Sequence, residues 1–403
     1  MGWQGMITGV GGGANGAYAL SVAAATMPDM GSRAMDSVLV WLPNHVGDVV
    51  MATPALRSLR RHFAGRRITY VGRPAALAVL SGTDWADATL TDESARRPRW
   101  RNTRRLVRQL RRVGADLGVL LPNSFRSAVL ARWGGVRHLV GYARDGRGWL
   151  LKRKLHPPRD ERGRRKPIPT IDYYLALAAA VDAPAESRKM ELLVTEEAER
   201  EAESLLVQAG AARTGPLVML NPGAAFGPSK MWPAQRFAAV ADRLIERRAA
   251  QIIIHAAPAE RPVAARVAAA MRGKPALNFA QREGSVPVLK SLLRRCGLLI
   301  TNDTGARHVA AAFDVPVVTL FGSTDPVWAQ IDYERERILR VDVPCSPCQS
   351  KTCREGRGPT FHQCMTAITP EMVLVAAEEL LDTFSGPALP ATGDPLRSES
   401  RGR

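Results

Sequence analysis

Ser37-Val38-Leu39-Val40-Trp41-Leu42-Pro43-Asn44-His45-Val46-Gly47-Asp48 joins a short apolar run to a polar loop. The run at 37–42 reads as a strand buried on both faces. After the loop comes a helix with Leu56, Leu59 and Phe63 on one face, at i, i+3 and i+7. Its start is open between Gly47 and Thr53, because Pro54 is tolerated in a first helical turn. Ile68-Thr69-Tyr70-Val71-Gly72 is the next strand. Strand, helix and strand make a βαβ unit, hence a parallel sheet.

The pattern continues outward. Residues 116–121 read as a further strand, closed by Pro122-Asn123-Ser124. Two stretches are strongly basic. Residues 96–112 keep helical apolar spacing at Leu106, Leu110 and Val113, as a solvated helix face would. Residues 144–166 hold Pro157, Pro158 and Gly163 and read as a loop or lid. Near 185–215 the alternation restarts. A Glu-rich helix at 196–210 leads to a strand at 217–220. A helix at 233–248, a strand at 251–255 and helices at 260–271 and 286–295 follow. A strand at 298–301, a helix from Thr304 and a last strand at 315–321 complete it. The fold class is α/β, with an N-terminal domain over 36–185 and a C-terminal domain over 186–384. Two open parallel sheets in tandem bind ligand between them, at the carboxyl ends of their strands.

Three loops there carry chemistry. Asn302-Asp303-Thr304-Gly305-x-x-His308 lies between a strand and a helix, where unpaired N–H groups and the helix dipole favour an anion. Gly305 would admit a phosphate closely, Thr304 would donate its hydroxyl, and His308 lies one turn on. The alternative is that Asp303 or Thr304 merely caps the helix. Pro222-Gly223-Ala224 through Lys230 is a second strand-to-helix loop, and its lysine suits a diphosphate. Asp48 stands in the first post-strand loop as a candidate general base, or else as a helix cap.

The chain has 403 residues, 46% of them apolar, and a net charge of +18 from 56 Lys and Arg against 38 Asp and Glu. That excludes a disordered protein, a collagen-like fibre and a disulfide-stapled mini-protein. No apolar run reaches the ~20 residues of a membrane-spanning helix. The charge suits an anionic partner. Trp100 alone interleaves the first basic stretch, so a nucleic acid is not expected. Residues 1–35 have no cation before Arg33 and read as a flexible extension without a secretory signal, with Met27, Met30 and Met35 as further possible starts. Gly11-x-Gly13-x-x-Gly16 matches a dinucleotide fingerprint in form, but Pro28 cuts the helix it would need, and no such cofactor is expected. Residues 385–403 read as a disordered tail.

Cys296 precedes an apolar strand and reads as a buried small hydrophobe. Cys345, Cys348, Cys353 and Cys364 fall within twenty residues, beside His362. The spacing leaves a structural zinc site, free or redox-sensitive thiols, and disulfides all open, with disulfides disfavoured in a reducing compartment.

Together these motifs resemble the bacterial ADP-heptose–lipopolysaccharide heptosyltransferases, glycosyltransferase family 9. The carrying segments are 38–48 with Pro54-Ala55-Leu56; 222–233 with Lys230-x-Trp232-Pro233; 301–312; and Leu320-Phe321-Gly322-Ser323-Thr324. The cysteine cluster with His362-Gln363-Cys364 is similar to the second-transferase branch. The resemblance implies a GT-B fold of two Rossmann-like domains facing each other across a cleft. It implies inverting transfer from ADP-heptose to a heptosyl-Kdo2-lipid A inner core, with no metal needed. Asp48 would be the general base, and Lys230 would meet the diphosphate. Asp303 would lie by the donor sugar, Thr304 and Gly305 at the phosphates, with His308 supporting them. Gly223, Ala224 and Glu260 would complete the donor site, Glu260 at a ribose hydroxyl. Asn44, His45 and Gly47 would face the acceptor; Asn44-His45 stands where members often carry a small or aromatic residue. A peripheral location on the cytoplasmic face of the inner membrane is expected, with its anionic surface as a partner.

Overall fold

The computed structural model describes residues 36–184, 187–211, 215–356 and 358–384. The expected extension at 1–35, its glycine pattern and the tail at 385–403 lie outside the described residues. Among the described residues, twelve strands form two six-stranded parallel sheets. The first contains β1 (Ser37–Trp41), β2 (Arg67–Gly72), β3 (Ala88–Thr91), β4 (Leu117–Leu120), β5 (His138–Tyr142) and β6 (Arg153–Leu155), in the order β3-β2-β1-β4-β5-β6. The second contains β7 (Leu217–Asn221), β8 (Gln251–Ile254), β9 (Leu277–Asn278), β10 (Leu298–Asn302), β11 (Val317–Phe321) and β12 (Glu336–Arg340), in the order β12-β11-β10-β7-β8-β9. Both sheets reverse direction beside their first strand, between β1 and β4 and between β7 and β10. Those reversal points are where ligands bind in open α/β sheets. β7, β10 and β11 are buried at every position, as strands covered on both faces must be.

The strand expected last, 315–321, is not the last. β12 follows it as an edge strand, half-buried along most of its length, so it lacks the apolar run that betrays a central strand. β3, β5, β6 and β9 were also invisible to the periodicity; four of these five are sheet edges, β5 lies next to one, and two have only two or three residues.

The helices of the first lobe are α1 (Val46–His62), α2 (Pro74–Val79), α3 (Arg99–Val113), α4 (Phe125–Trp133) and α5 (Thr170–Ala179). Those of the second are α6 (Glu196–Gln208), α7 (Ala234–Arg248), α8 (Arg261–Ala270), α9 (Val286–Arg294), α10 (Gly305–Ala312), α11 (Gln363–Thr366) and α12 (Pro370–Thr383). α1 starts at Val46 and carries Pro54 in its interior, which resolves the open start. Pro54 has no N–H to give the Val50 carbonyl. The Thr53 hydroxyl donates to that carbonyl instead, at 2.7 Å. α1 can therefore run unbroken from the loop of Asp48. It is buried from Val49 to Leu56 because it lies between its own sheet, α5 and α10 of the other lobe.

A second contact pins the lobes. Lys290 of α9 is fully buried, and its ammonium enters the carboxyl end of α2 in the first lobe. It donates to the carbonyls of Val79 (2.9 Å) and Ser81 (2.8 Å), to the Ser81 hydroxyl (3.0 Å) and to the carbonyl of Leu193 (2.7 Å). A cation belongs at a helix carboxyl end. Burial lowers its pKa to about 8. Lys290→Met keeps the stem and removes the donors, leaving the buried Val79 carbonyl and the half-buried Ser81 carbonyl without their partner. It should cost about 3 kcal/mol of stability, read as a lowered Tm in thermal denaturation. An unchanged Tm would mean that the lobes are not held there.

Candidate active site

Three loops meet at the carboxyl ends of β1, β7 and β10. In the second lobe two asparagines join them. Asn302 at the end of β10 donates to the carbonyls of Pro222 (2.8 Å) and Gly223 (3.1 Å) and accepts from the Trp232 N–H at 3.1 Å. Asn221 at the end of β7 donates to the hydroxyls of Thr301 (3.2 Å) and Thr304 (3.0 Å) and pairs with His255 Nδ1 at 2.9 Å. Asn221 and its link to Thr304 were not read from the sequence; a polar residue closing a buried strand was the available signal. The loop after β7 is thereby fixed to the loop before α10.

This bracing sets Lys230 over Asp303. The Lys230 ammonium donates to the Asp303 carboxylate at 2.5 Å and to its carbonyl at 3.2 Å, and lies 5.0 Å from the centre of the Phe226 ring. Thr324 donates to the same carboxylate at 2.8 Å. Burial works against the charge of Asp303, but Lys230, Arg307 and the Thr324 bond together hold its carboxyl below the ordinary range. Asp303 is therefore the counter-ion of the lysine. Neither Asp303 nor Thr304 caps α10 through its side chain, so the capping alternative is not what the chain does. The first N–H groups of α10 keep their appetite for an anion.

Asp48 approaches from the other lobe, in the first turn of α1, where the residue before the helix, His45, makes no side-chain cap. Its carboxyl interacts with His45 of its own loop and with Lys230 and Asp303 across the gap. Desolvation raises its pKa, and Asp303 adds to the rise; His45 and Lys230 oppose it. Asn44 and His45 are exposed beside it. A base works only when unprotonated, so kcat/KM should fall on the acid side at a pH clearly above the ~3.9 of an exposed aspartate. A pH–rate profile flat down to that value would contradict this.

Two expected contacts are different in the structure. Gly305 and Gly47 touch each other: a Cβ on Gly305 would stand 2.9 Å from the Gly47 nitrogen, and one on Gly47 would stand 3.1 Å from the Gly305 Cα. Both glycines are needed for two helix starts from opposite lobes to meet, so Gly47 is not exposed to an acceptor. His308 is buried against Gly47, with Nδ1 unpartnered. Burial first, then Arg307, push its pKa down to about 3, so it is neutral and serves the lobe contact rather than a phosphate charge. Arg307 is itself anchored by Glu336 of β12 at 2.5 and 2.7 Å.

Glu260 lies against the other end of the cradle. A Cβ on Gly223 would fall 2.2 Å from its carboxyl carbon, so the carboxylate lies directly over the bare glycine of the loop. Burial raises the Glu260 pKa. Ala224 is buried in the same loop.

The cysteine segment braces the lysine loop from outside. Cys345, Cys348, Cys353 and Cys364 line one cavity of about 340 Å³, together with Ser229, Ser323 and His362. Ser229 donates from its N–H to the Lys351 carbonyl (3.1 Å) and from its hydroxyl to the Ser350 carbonyl (2.5 Å), and His362 Nε2 lies 3.0 Å from the Ser229 carbonyl. The four thiols are free, and Cys296 is a fifth, buried one that bonds the Leu292 carbonyl at 3.2 Å. Four thiols suit zinc by chemistry. Among the described residues, no three His, Cys, Asp or Glu side chains stand in metal-holding geometry.

Residues 103–358 match the sequence profile of glycosyltransferase family 9 (heptosyltransferase). The chain is 26% identical to lipopolysaccharide heptosyltransferase 2 of Salmonella typhimurium over 364 residues, covering 85% of this chain and 98% of that one. It is 30% identical to lipooligosaccharide heptosyltransferase 2 of Haemophilus influenzae over 284 residues, 66% of this chain and 76% of that one. The solved structure of Escherichia coli ADP-heptose lipopolysaccharide heptosyltransferase II superimposes with a TM-score of 0.70 at 26% identity, over 86% of this chain and 99% of that one. Its GT-B architecture is the one described above.

Proposed function

The chain belongs to glycosyltransferase family 9, the heptosyltransferases, and from that premise we propose that it transfers heptose from ADP-heptose to the inner core of lipopolysaccharide. The observation that carries this reading is the contact of Gly47 with Gly305, which brings the first turn of α1, with Asp48, up to the start of α10 beside the Lys230–Asp303 pair. The diphosphate of the donor binds between Lys230 and the start of α10. Glu260 and Gly223 flank its nucleoside end. An acceptor hydroxyl enters past Asn44 and His45.

In the reaction the acceptor oxygen forms a bond to the anomeric carbon as the bond from that carbon to the phosphate oxygen breaks on the opposite face. The configuration inverts. The hydroxyl proton passes to Asp48, and the bonding pair leaves with ADP. Negative charge grows on the departing phosphate, and Lys230 with the amino end of α10 is already in place to meet it. Asp303 holds the lysine without neutralising a bound diphosphate. This positive charge stands in for a metal, so EDTA should leave the rate unchanged; a rate lost to EDTA and restored by a divalent cation would overturn that part.

The acceptor is a glycolipid, so the enzyme works at the cytoplasmic face of the inner membrane as a peripheral protein. No helix of the described residues is long and apolar enough to cross a membrane. Nucleotide release from ADP-heptose, UDP-sugars and GDP-sugars, with the mass of the extended acceptor, tests the function. Release of ADP with addition of one heptose is expected; turnover of a UDP- or GDP-sugar alone would refute the donor.

A further inference from the structure

The outer layer of the first lobe is unlike the rest of the surface. It consists of α3, α4 and the turn Gly148–Leu150, packed on the face of the first sheet opposite α1. α3 presents Leu106, Val107 and Leu110 to the sheet and exposes seven arginines: Arg99, Arg101, Arg104, Arg105, Arg108, Arg111 and Arg112. None of the seven has a carboxylate partner among the described residues. From Ala95 to Arg144 the chain has thirteen arginines and one acid, Asp116.

Aromatic residues gather on the same layer. Five large aromatic side chains are exposed among the described residues, and four are here: Trp100, Phe125, Trp133 and Trp149, the last 72% exposed. The Phe125 and Trp149 rings are 6.4 Å apart. Arg101 and Arg104 stand 5.0 and 5.2 Å from the Trp100 ring centre. Trp100, Phe125 and Trp149 each follow the carboxyl end of a strand, β3, β4 and β5, so they mark the rim that also bears Asp48. The same lobe has a cavity lined by Arg144, Arg159, Arg165 and His156, with Asp145 as its one acid.

We propose that this layer is the surface on which the protein rests on an anionic lipid bilayer, with Trp100, Phe125 and Trp149 entering the headgroup region. Indole rings with a wet edge and an apolar body settle at that depth. Unpaired arginines are drawn to the negative surface potential, and each adds to the attraction. A nucleic acid would want its aromatics interleaved along one groove, whereas these stand at the rim of a cleft. Resting this way turns the mouth of the cleft toward the membrane, so the sugar of an embedded glycolipid enters beside Asp48. The proposal rests on the reading that the acceptor is such a glycolipid.

Sedimentation of the full chain with vesicles tests it. Wild type should bind vesicles of phosphatidylglycerol and phosphatidylethanolamine, but not phosphatidylcholine alone, and should be released as salt rises from about 0.1 M to about 1 M. Arg104→Glu, Arg105→Glu and Arg108→Glu together should weaken binding on the order of a hundredfold. Trp149→Ala should weaken it at low salt and reduce the blue shift of tryptophan emission on binding, leaving the part that Trp100 supplies. Turnover of a deacylated, soluble acceptor should stay at the wild-type level in both variants. Wild type that ignores anionic vesicles, or variants that bind as wild type does, would overturn the proposal. So would variants that lose only binding to duplex DNA. A wild type that binds vesicles and transfers no heptose to either acceptor would sink the functional reading and leave this surface standing.

Discussion

Asp48→Ala should reduce heptose transfer on the order of a thousandfold while ADP affinity stays near wild type. The base lies on α1, and the nucleotide cradle is built by the other lobe, so removing the carboxylate leaves every contact to ADP in place. Asp48→Asn sharpens the test. Desolvation raises the folded pKa of Asp48. A carboxyl whose pKa is raised on folding binds its proton more tightly in the native state, so stability declines as pH rises from the unfolded value toward the raised one. Above that window the buried charge is a standing cost. The neutral amide removes it, and Asp48→Asn should raise Tm at neutral pH while transfer is lost. Activity retained in either variant would mean another group takes the proton.

Lys230→Ala should lower kcat on the order of a hundred- to a thousandfold and, unlike the Asp48 variants, should weaken ADP binding too. Its effect on stability is distinctive. In the wild type the Asp303 pKa is lowered, so its contribution is present above the unfolded pKa and is lost as pH falls through the folded one. Without the ammonium, Asp303 is a buried carboxylate held only by the Thr324 hydrogen bond and the charge of Arg307. Lys230→Ala should therefore melt earlier at neutral pH and recover part of the difference in mild acid, where Asp303 takes a proton. Calorimetric titration with ADP and melting across pH read both. Unchanged ADP affinity would place the diphosphate elsewhere.

The sequence was most legible where the chemistry is local. Continuous apolar runs gave β1, β7 and β10, and polar loops at their ends gave Asp48, Lys230 and Asp303. Short edge strands such as β6 and β12 carry too few buried residues to leave a pattern. Long-range partnerships left no local mark at all. Lys290 reads as an ordinary helical lysine, yet its acceptors at Val79 and Ser81 are some two hundred residues away in the other lobe. Gly305 reads as a phosphate-binding glycine, but its missing side chain makes room for the backbone of Gly47. His308 reads as a support for the phosphate loop; its burial against Gly47 of the other lobe, which also keeps it neutral, has no mark in the local sequence. In each case the residue type was informative, and the tertiary neighbour decided its use.

The most direct measurement is a crystal structure of the protein with an inert ADP-heptose analogue and a soluble inner-core acceptor. It should place an Asp48 carboxylate oxygen ~3 Å from the attacking hydroxyl, on the side of the anomeric carbon opposite the diphosphate, with Lys230 bound to a phosphate oxygen. A diphosphate seated away from Lys230, or an acceptor hydroxyl out of reach of Asp48, would contradict the assignment of the site.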